Sequence, residues 1–135
     1  MHFADPCPII RDWAGIFVSA ELTLGPVMEA FEQKFARFVG MKHCIATDNG
    51  TDALTLAFKS IGLRDGDEVI TGDHTFYATV GAIVRCGATP VFVDTDTRFQ
   101  TDATKIKRAI TSRTKGIVPV HWAGAPEMNA IMAIA

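Results

Sequence analysis

The sequence predicts an α/β protein whose sheet is mainly parallel and flanked by helices. From Gly25 onward, helix-period stretches alternate with short strand-type runs, and glycines stand where helices must close. The strand-type runs recur roughly every two dozen residues with one helix between them, the arrangement a right-handed parallel crossover requires.

Taken in order, Ile9 to Ala20 reads as a separate amphipathic helix with Trp13, Ile16 and Phe17 apolar, covering either the sheet or a second subunit. Residues 1–24 are therefore set apart as an N-terminal helix and arm, and 25–135 as the sheet-containing region. Pro26 suits a first helical turn, Val27, Phe31, Phe35, Phe38 and Val39 form the expected buried stripe, and Gly40 sits at the C-cap position. His43 to Thr47 reads as a short, fully buried strand.

The next helix follows Asn49-Gly50, carries Ala53, Leu54, Ala57 and Ile61 on one face and ends near Gly62. The turn Asp65-Gly-Asp67 hands over to a strand from Glu68 to Thr71. A helix from about Thr75 to Cys86 leads past Gly87 to the strand Pro90 to Val93. Another, with Ile106, Ala109 and Ile110 inward, leads to the strand Gly116 to Val120. The expectation is a sheet of four consecutive strands. Glu127 to Ala135 begins one more amphipathic helix, with Met128, Ile131 and Ile134 apolar. The sequence stops inside that element, which suggests a fragment, because a parallel sheet without its next strand leaves an edge and a face uncovered.

Composition narrows the function. With 48% hydrophobic and 21% charged residues in 135, the chain has the make-up of one soluble globular domain. A formal net charge of -2 without a Lys/Arg cluster argues against nucleic acid and acidic membrane surfaces as partners. Cys7, Cys44 and Cys86 lack the paired spacing of a zinc or redox motif and read as buried, reduced thiols. No basic segment precedes an apolar run at the N-terminus, and Val80 to Val84 stops at Arg85, far short of a membrane span, so the cytoplasm is the expected compartment.

In a parallel sheet, ligands lie beyond the carboxyl ends of the strands. Four clusters qualify: Asp48 to Asp52, Gly72 to Tyr77, Asp94 to Asp96, and His121 to Gly124. The first runs an apolar segment into a helix through a small polar turn, and the unpaired N–H groups and dipole of a helix start favour a phosphate there. Gly50 would let the backbone approach an oxyanion, with the hydroxyl of Thr51 and the amide of Asp52 as further donors and the Asp52 carboxylate turned away. The bland alternative is a helix start capped by Asn49 or Thr51.

In the second cluster Thr75 is a candidate N-cap. Phe76 is either core, the commoner fate of a phenylalanine, or a flat plate against a planar ring. His74 is equally open. Asp94 and Asp96 read as turn formers rather than paired catalytic or metal-binding carboxylates. His121 and Trp122 either line a pocket or form part of a hydrogen-bonded interior. No G-x-G-x-x-G, G-x-x-x-x-G-K-[ST] or G-x-S-x-G motif is present, which weakens dinucleotide, P-loop and hydrolase readings.

Five segments in this order, Gly50 to Leu54 (GTDAL), Asp65 to Ile70 (DGDEVI), His74 to Thr79 (HTFYAT), Gly87 to Asp94 (GATPVFVD) and Val120 to Pro126 (VHWAGAP), resemble the DegT/DnrJ/EryC1/StrS family of pyridoxal-phosphate-dependent sugar aminotransferases. The likeness runs from about Glu21 to the end. It implies part of a fold-type I large domain, a homodimer with shared active sites, pyridoxal 5'-phosphate as cofactor, and amino transfer from glutamate to a nucleotide-linked keto-sugar. It places the family's phosphate loop on Gly50 and Thr51 with the next amide at Asp52, and the ring-stacking aromatic on Phe76. His121 and Trp122 remain candidates for the substrate side.

Two departures bear on activity. Members commonly carry proline where this chain has Gly72, which loosens that turn and leaves the site in place. The segments carrying the aspartate that pairs with the pyridine nitrogen and the Schiff-base lysine would lie beyond Ala135, and none of Lys34, Lys42, Lys59, Lys105, Lys107 or Lys115 is suitably placed to substitute. The expectation is that the chain alone is inactive. A sugar 3-dehydratase of the same family, or a non-catalytic remnant binding a phosphorylated metabolite or an intact paralogue, are the rival readings.

Overall fold

Strand β1, Glu68–Gly72, is buried along its whole length, because it is the middle strand of a parallel sheet and is covered on both faces. The computed structural model describes residues 7–20, 22–122 and 124–135. The chain divides into two compact units, the first ending at Ala46 and the second beginning at Thr47. This boundary lies further along than the expected one after residue 24.

The first unit holds helix α1, Cys7–Ser19, and helix α2, Pro26–Phe38. Pro26 opens α2 without loss, since the first helical N–H has no partner to give up. The stripe expected to be buried on α2 is instead exposed at Val27, Phe31, Phe35, Phe38 and Val39, and Ala36 is its buried residue. The aromatic rings lie against one another along the helix, with Phe31 and Phe35 5.8 Å and Phe35 and Phe38 6.3 Å apart. Periodicity reports that a helix has an apolar face, and does not report what covers it. Trp13 and Phe17 of α1 are exposed in the same way.

His43 to Thr47 is not a strand and is not fully buried, contrary to expectation. The main-chain amide of Ala46 donates to the Glu32 carboxylate at 2.7 Å instead of to a neighbouring strand. A run of apolar residues makes a strand only where a ladder partner is available.

The second unit contains helix α3 (Gly50–Ser60), β1, helix α4 (Tyr77–Arg85), strand β2 (Thr89–Val93), helix α5 (Ala103–Ala109), strand β3 (Thr114–Val118) and helix α6 (Met128–Met132). Its three strands are all parallel, in the order β2-β1-β3, so the sheet has one strand fewer than predicted among the described residues. Pro90, opposite Val69, is tolerated because β2 is an edge strand.

Alternation along β1 builds two cores. Val69 packs with Phe58, Leu63, Ala82, Ile83 and Ala88 on the side covered by α3 and α4. Ile70 packs with Val93, Ile106 and Ile131 on the side covered by α5 and α6. Each of the fully buried residues Ile70, Ile83 and Ile106 contributes about 1.5–3 kcal/mol through burial. The inward residues of α3 are Leu54 and Phe58, with Ala53, Ala57 and Ile61 exposed, so the apolar face lies to one side of the predicted one. Ile110, also expected inward, is exposed beyond the end of α5.

Cys44 and Cys86 are free thiols, each half-buried rather than fully buried, and the side chain of Cys7 lies outside the described residues. Among the described residues no helix is long and apolar enough to cross a membrane.

Candidate functional site

Asn49 organises the start of α3. It sits in extended backbone as the N-cap, and its side-chain oxygen accepts from the amide of Asp52 at 2.9 Å. Its side-chain nitrogen donates to Asp48 Oδ2 at 2.9 Å and to Asp52 Oδ2 at 3.0 Å. The amide of Asp52, foreseen as a donor to a ligand, is thus committed within the protein. Its carboxylate is also engaged, accepting from Arg85 Nη1 at 3.1 Å. Among the described residues the amides of Gly50 and Thr51 donate no hydrogen bond, the normal state of the first helical N–H groups. A Cβ added at Gly50 would meet nothing within 4 Å, so the approach to these amides is open.

Phe76 precedes the first turn of α4 rather than lying on it, and serves as its N-cap residue without a capping side-chain bond. Thr75 is not the cap, since its hydroxyl bonds that of Thr79 at 2.9 Å. Extended backbone at Phe76 turns its ring out of the core, where it is 61% exposed and lies 4.3 Å, centroid to centroid, from the ring of Tyr77.

Asn49, Gly50, Thr51, Ala53 and Leu54 from the start of α3, with Phe76, Ala78 and Thr79 from the start of α4, line one open depression of about 640 Å³. The two features expected to serve one ligand, the open amides and the aromatic plate, therefore border the same space. Asp52 does not line it, and neither do His121 and Trp122. The residues that do line it suit a small planar phosphate ester, with unpaired donors for an anion and a largely apolar wall for a ring.

The residues after β3 form a second cluster. Trp122 is 47% exposed and meets His74, on the loop after β1, with ring centroids 4.4 Å apart at 90°, while Phe99 approaches His74 at 5.8 Å. His121 is exposed. Gln100, which sequence reading missed, is buried and donates from Nε2 to the main-chain oxygen of Trp122, while its Oε1 has no partner among the described residues. No local pattern marks Gln100, because its bond joins loops 22 residues apart.

Asp96 is a turn former. It accepts from the amides of Arg98 at 2.8 Å and Gln100 at 2.9 Å, closing a loop in which Phe99 takes a positive φ of 61°. The Gln100 amide, then the Arg98 side chain, hold its carboxyl below the usual range against the opposing effect of burial. Asp94 lies 3.5 Å from Lys105 Nζ. Among the described residues no group of three His, Cys, Asp or Glu is arranged to hold a metal ion.

Gly72, at the end of β1, is tightly approached: an added Cβ would stand 3.0 Å from Thr101 Oγ1. That hydroxyl also accepts from the amide of Val120 at 3.3 Å, tying the β2–α5 loop to the segment after β3.

Residues 9–135 match the profile of the DegT/DnrJ/EryC1/StrS aminotransferase family. The chain belongs to that family. Among curated relatives, it is 47% identical over 119 residues to the spore coat polysaccharide biosynthesis protein SpsC of Bacillus subtilis (strain 168), covering 87% of this chain and 31% of that one. It is 44% identical over 122 residues to the dTDP-3-amino-3,4,6-trideoxy-alpha-D-glucose transaminase of Micromonospora megalomicea subsp. nigra, covering 89% and 33%. The chain spans about a third of the length of these curated relatives. Of solved structures, NtdA from Bacillus subtilis with bound cofactor PMP superposes with a TM-score of 0.88 at 36% identity over 93% of this chain and 29% of that one. The aminotransferase from Psychrobacter cryohalolentis gives 0.82 at 38% identity over 90% and 32%. The fold is thus that of the family's pyridoxal-phosphate-dependent aminotransferases over the part this chain covers.

Proposed function

We propose that this chain supplies the phosphate- and ring-binding part of a pyridoxal-phosphate-dependent aminotransferase that moves an amino group from glutamate to a nucleotide-linked keto-sugar. The observation that carries the reading is the shared depression: the open amides of Gly50 and Thr51 and the exposed ring of Phe76 border it together. Pyridoxal phosphate, when bound, supplies the electron sink for the chemistry at the amino-bearing carbon. The residues of this chain anchor and orient. Gly50 and Thr51 hold the phosphate by their N–H groups and the Thr51 hydroxyl, and Phe76 covers a ring face and limits its tilt. His121 and Trp122, outside that depression, belong on the sugar-nucleotide side. A cytoplasmic homodimer is the form in which we place the enzyme, supported by the uncovered apolar faces of α1 and α2.

Gly50→Pro is the direct test. Proline at the first helical position keeps the helix and deletes one donor, and the extended backbone of Asn49 already suits a following proline. Calorimetric titration with pyridoxamine 5'-phosphate, which carries ring and phosphate but no aldehyde to react with surface lysines, should show binding that falls at least about tenfold in Gly50→Pro, as expected for one hydrogen bond to a charged group. Unphosphorylated pyridoxamine should not bind measurably. Equal binding of both compounds, or of both proteins, overturns the reading.

A further inference from the structure

We infer that Arg85 is a positioning residue for the phosphate cradle: by holding and neutralising the Asp52 carboxylate, it lets a helix start flanked by two acids accept an anion. The inference rests on the function proposed above and adds a residue that neither the motif nor the depression contains.

The charged groups at the start of α3 are Asp48, Asp52 and Arg85. Asp48 and Asp52 both accept from the one side-chain nitrogen of Asn49, at 2.9 and 3.0 Å. Asp52 sits in the first turn of α3, next to the two open amides. An acid in a first turn suits the helix dipole, yet it repels any phosphate that the same dipole attracts. Arg85, from the far end of α4, reaches Asp52 Oδ1 at 3.1 Å, 33 residues away in sequence. Asn49 and Arg85 thereby take one carboxylate oxygen each, so the acid is held from two directions and its charge is compensated.

Stability is a poor explanation for this pair. The side chains are 60% and 41% exposed, and an ion pair so open to water contributes little to folding. Its effect on a nearby anion is different in kind, because removing Arg85 leaves the Asp52 carboxylate, like that of Asp48, uncompensated within one turn of a doubly charged group. At the dielectric of water, one unit of charge about 6 Å from a doubly charged group changes affinity by about five- to tenfold.

The test follows pyridoxamine 5'-phosphate binding to the chain through the Gly50 and Thr51 amide resonances in ¹H–¹⁵N spectra. Arg85→Ala should weaken binding about five- to tenfold. Arg85→Lys should recover most of the loss, and Asp52→Asn added to Arg85→Ala should recover it too, since the charge that Arg85 had compensated is then gone. A merely structural pair cannot give that second recovery, because both of its partners are then missing. Wild-type binding in Arg85→Ala, or continued weak binding in the double variant, overturns the inference while leaving the proposed function standing. Failure of the wild-type chain to bind at these amides overturns the proposed function, and the inference with it.

Discussion

The rings of His74 and Trp122 meet edge to face, 4.4 Å apart, and so join the loop that leaves β1 to the loop that leaves β3. The main chain of Trp122 is fixed in turn by Gln100, which makes this contact the junction of three loops beyond the carboxyl ends of the strands. Trp122→Ala should destabilise the fold by about 1–2 kcal/mol, from the ring pair together with the apolar area lost. Trp122→Phe should keep roughly half of that. Urea midpoints for the three proteins measure both values, and an unchanged midpoint in Trp122→Ala would show that the indole does not hold the loops.

For Phe76, folding and ligand binding should separate. Its ring is 61% exposed, so Phe76→Ala should shift stability by less than about 0.5 kcal/mol. If the ring covers a cofactor face, the same substitution should weaken pyridoxamine 5'-phosphate binding about two- to tenfold, the range of an aromatic pair. Phe76→Tyr should preserve binding. A large stability loss in Phe76→Ala would mark the residue as structural.

Much of this arrangement was legible from spacing alone. The crossovers into β2 and β3 follow from one helix between strand-type runs, and place after strand-type segments marks the two clusters that hold Gly50 and Phe76 among four, with the family resemblance singling out those residues. What escaped depends on tertiary partners. His43 to Thr47 has the composition of a strand but no ladder, because Glu32 takes the amide of Ala46. The phenylalanines of α2 have the right period and no cover. On α3 the pair Leu54 and Phe58, four residues apart, was a readable signal that the alanine-based face outweighed. Asp52 was correctly placed at the helix start, but its amide goes to Asn49 because an N-cap side chain competes with a ligand for the same donors.

That competition can be measured. Asn49→Ala removes the acceptor for the Asp52 amide and should cost about 1 kcal/mol, whereas Asn49→Gly should cost only a few tenths. Hydrogen exchange at the Asp52 amide should quicken in both variants, with little change at Ala53, whose amide bonds the main-chain oxygen of residue 49 at 3.2 Å and keeps that partner. Unaltered exchange at Asp52 would show that the cap bond is not formed in solution.

The acid limb of stability should report on Glu68, which is buried at the start of β1. Thr111 donates its hydroxyl to one carboxylate oxygen, and Arg113 donates to the other from Nε at 2.9 Å and from Nη2. The Thr111 hydroxyl first, and then Arg113, hold the carboxyl below its usual range, while burial acts in the opposite direction. Because the folded value is the lower one, the unfolded chain binds more protons as pH falls. The contribution of Glu68 is therefore complete above the unfolded value of about 4.3 and is lost as pH drops through the folded value. Glu68→Gln should be less stable than wild type at pH 7, and the two should converge towards pH 3. Asp96 and Asp102 are held low as well, so the variant should keep a shallower acid slope rather than none. Urea midpoints at half-unit steps from pH 3 to 7 decide it, and parallel curves for the two proteins would mean that Glu68 titrates alike in the folded and unfolded states.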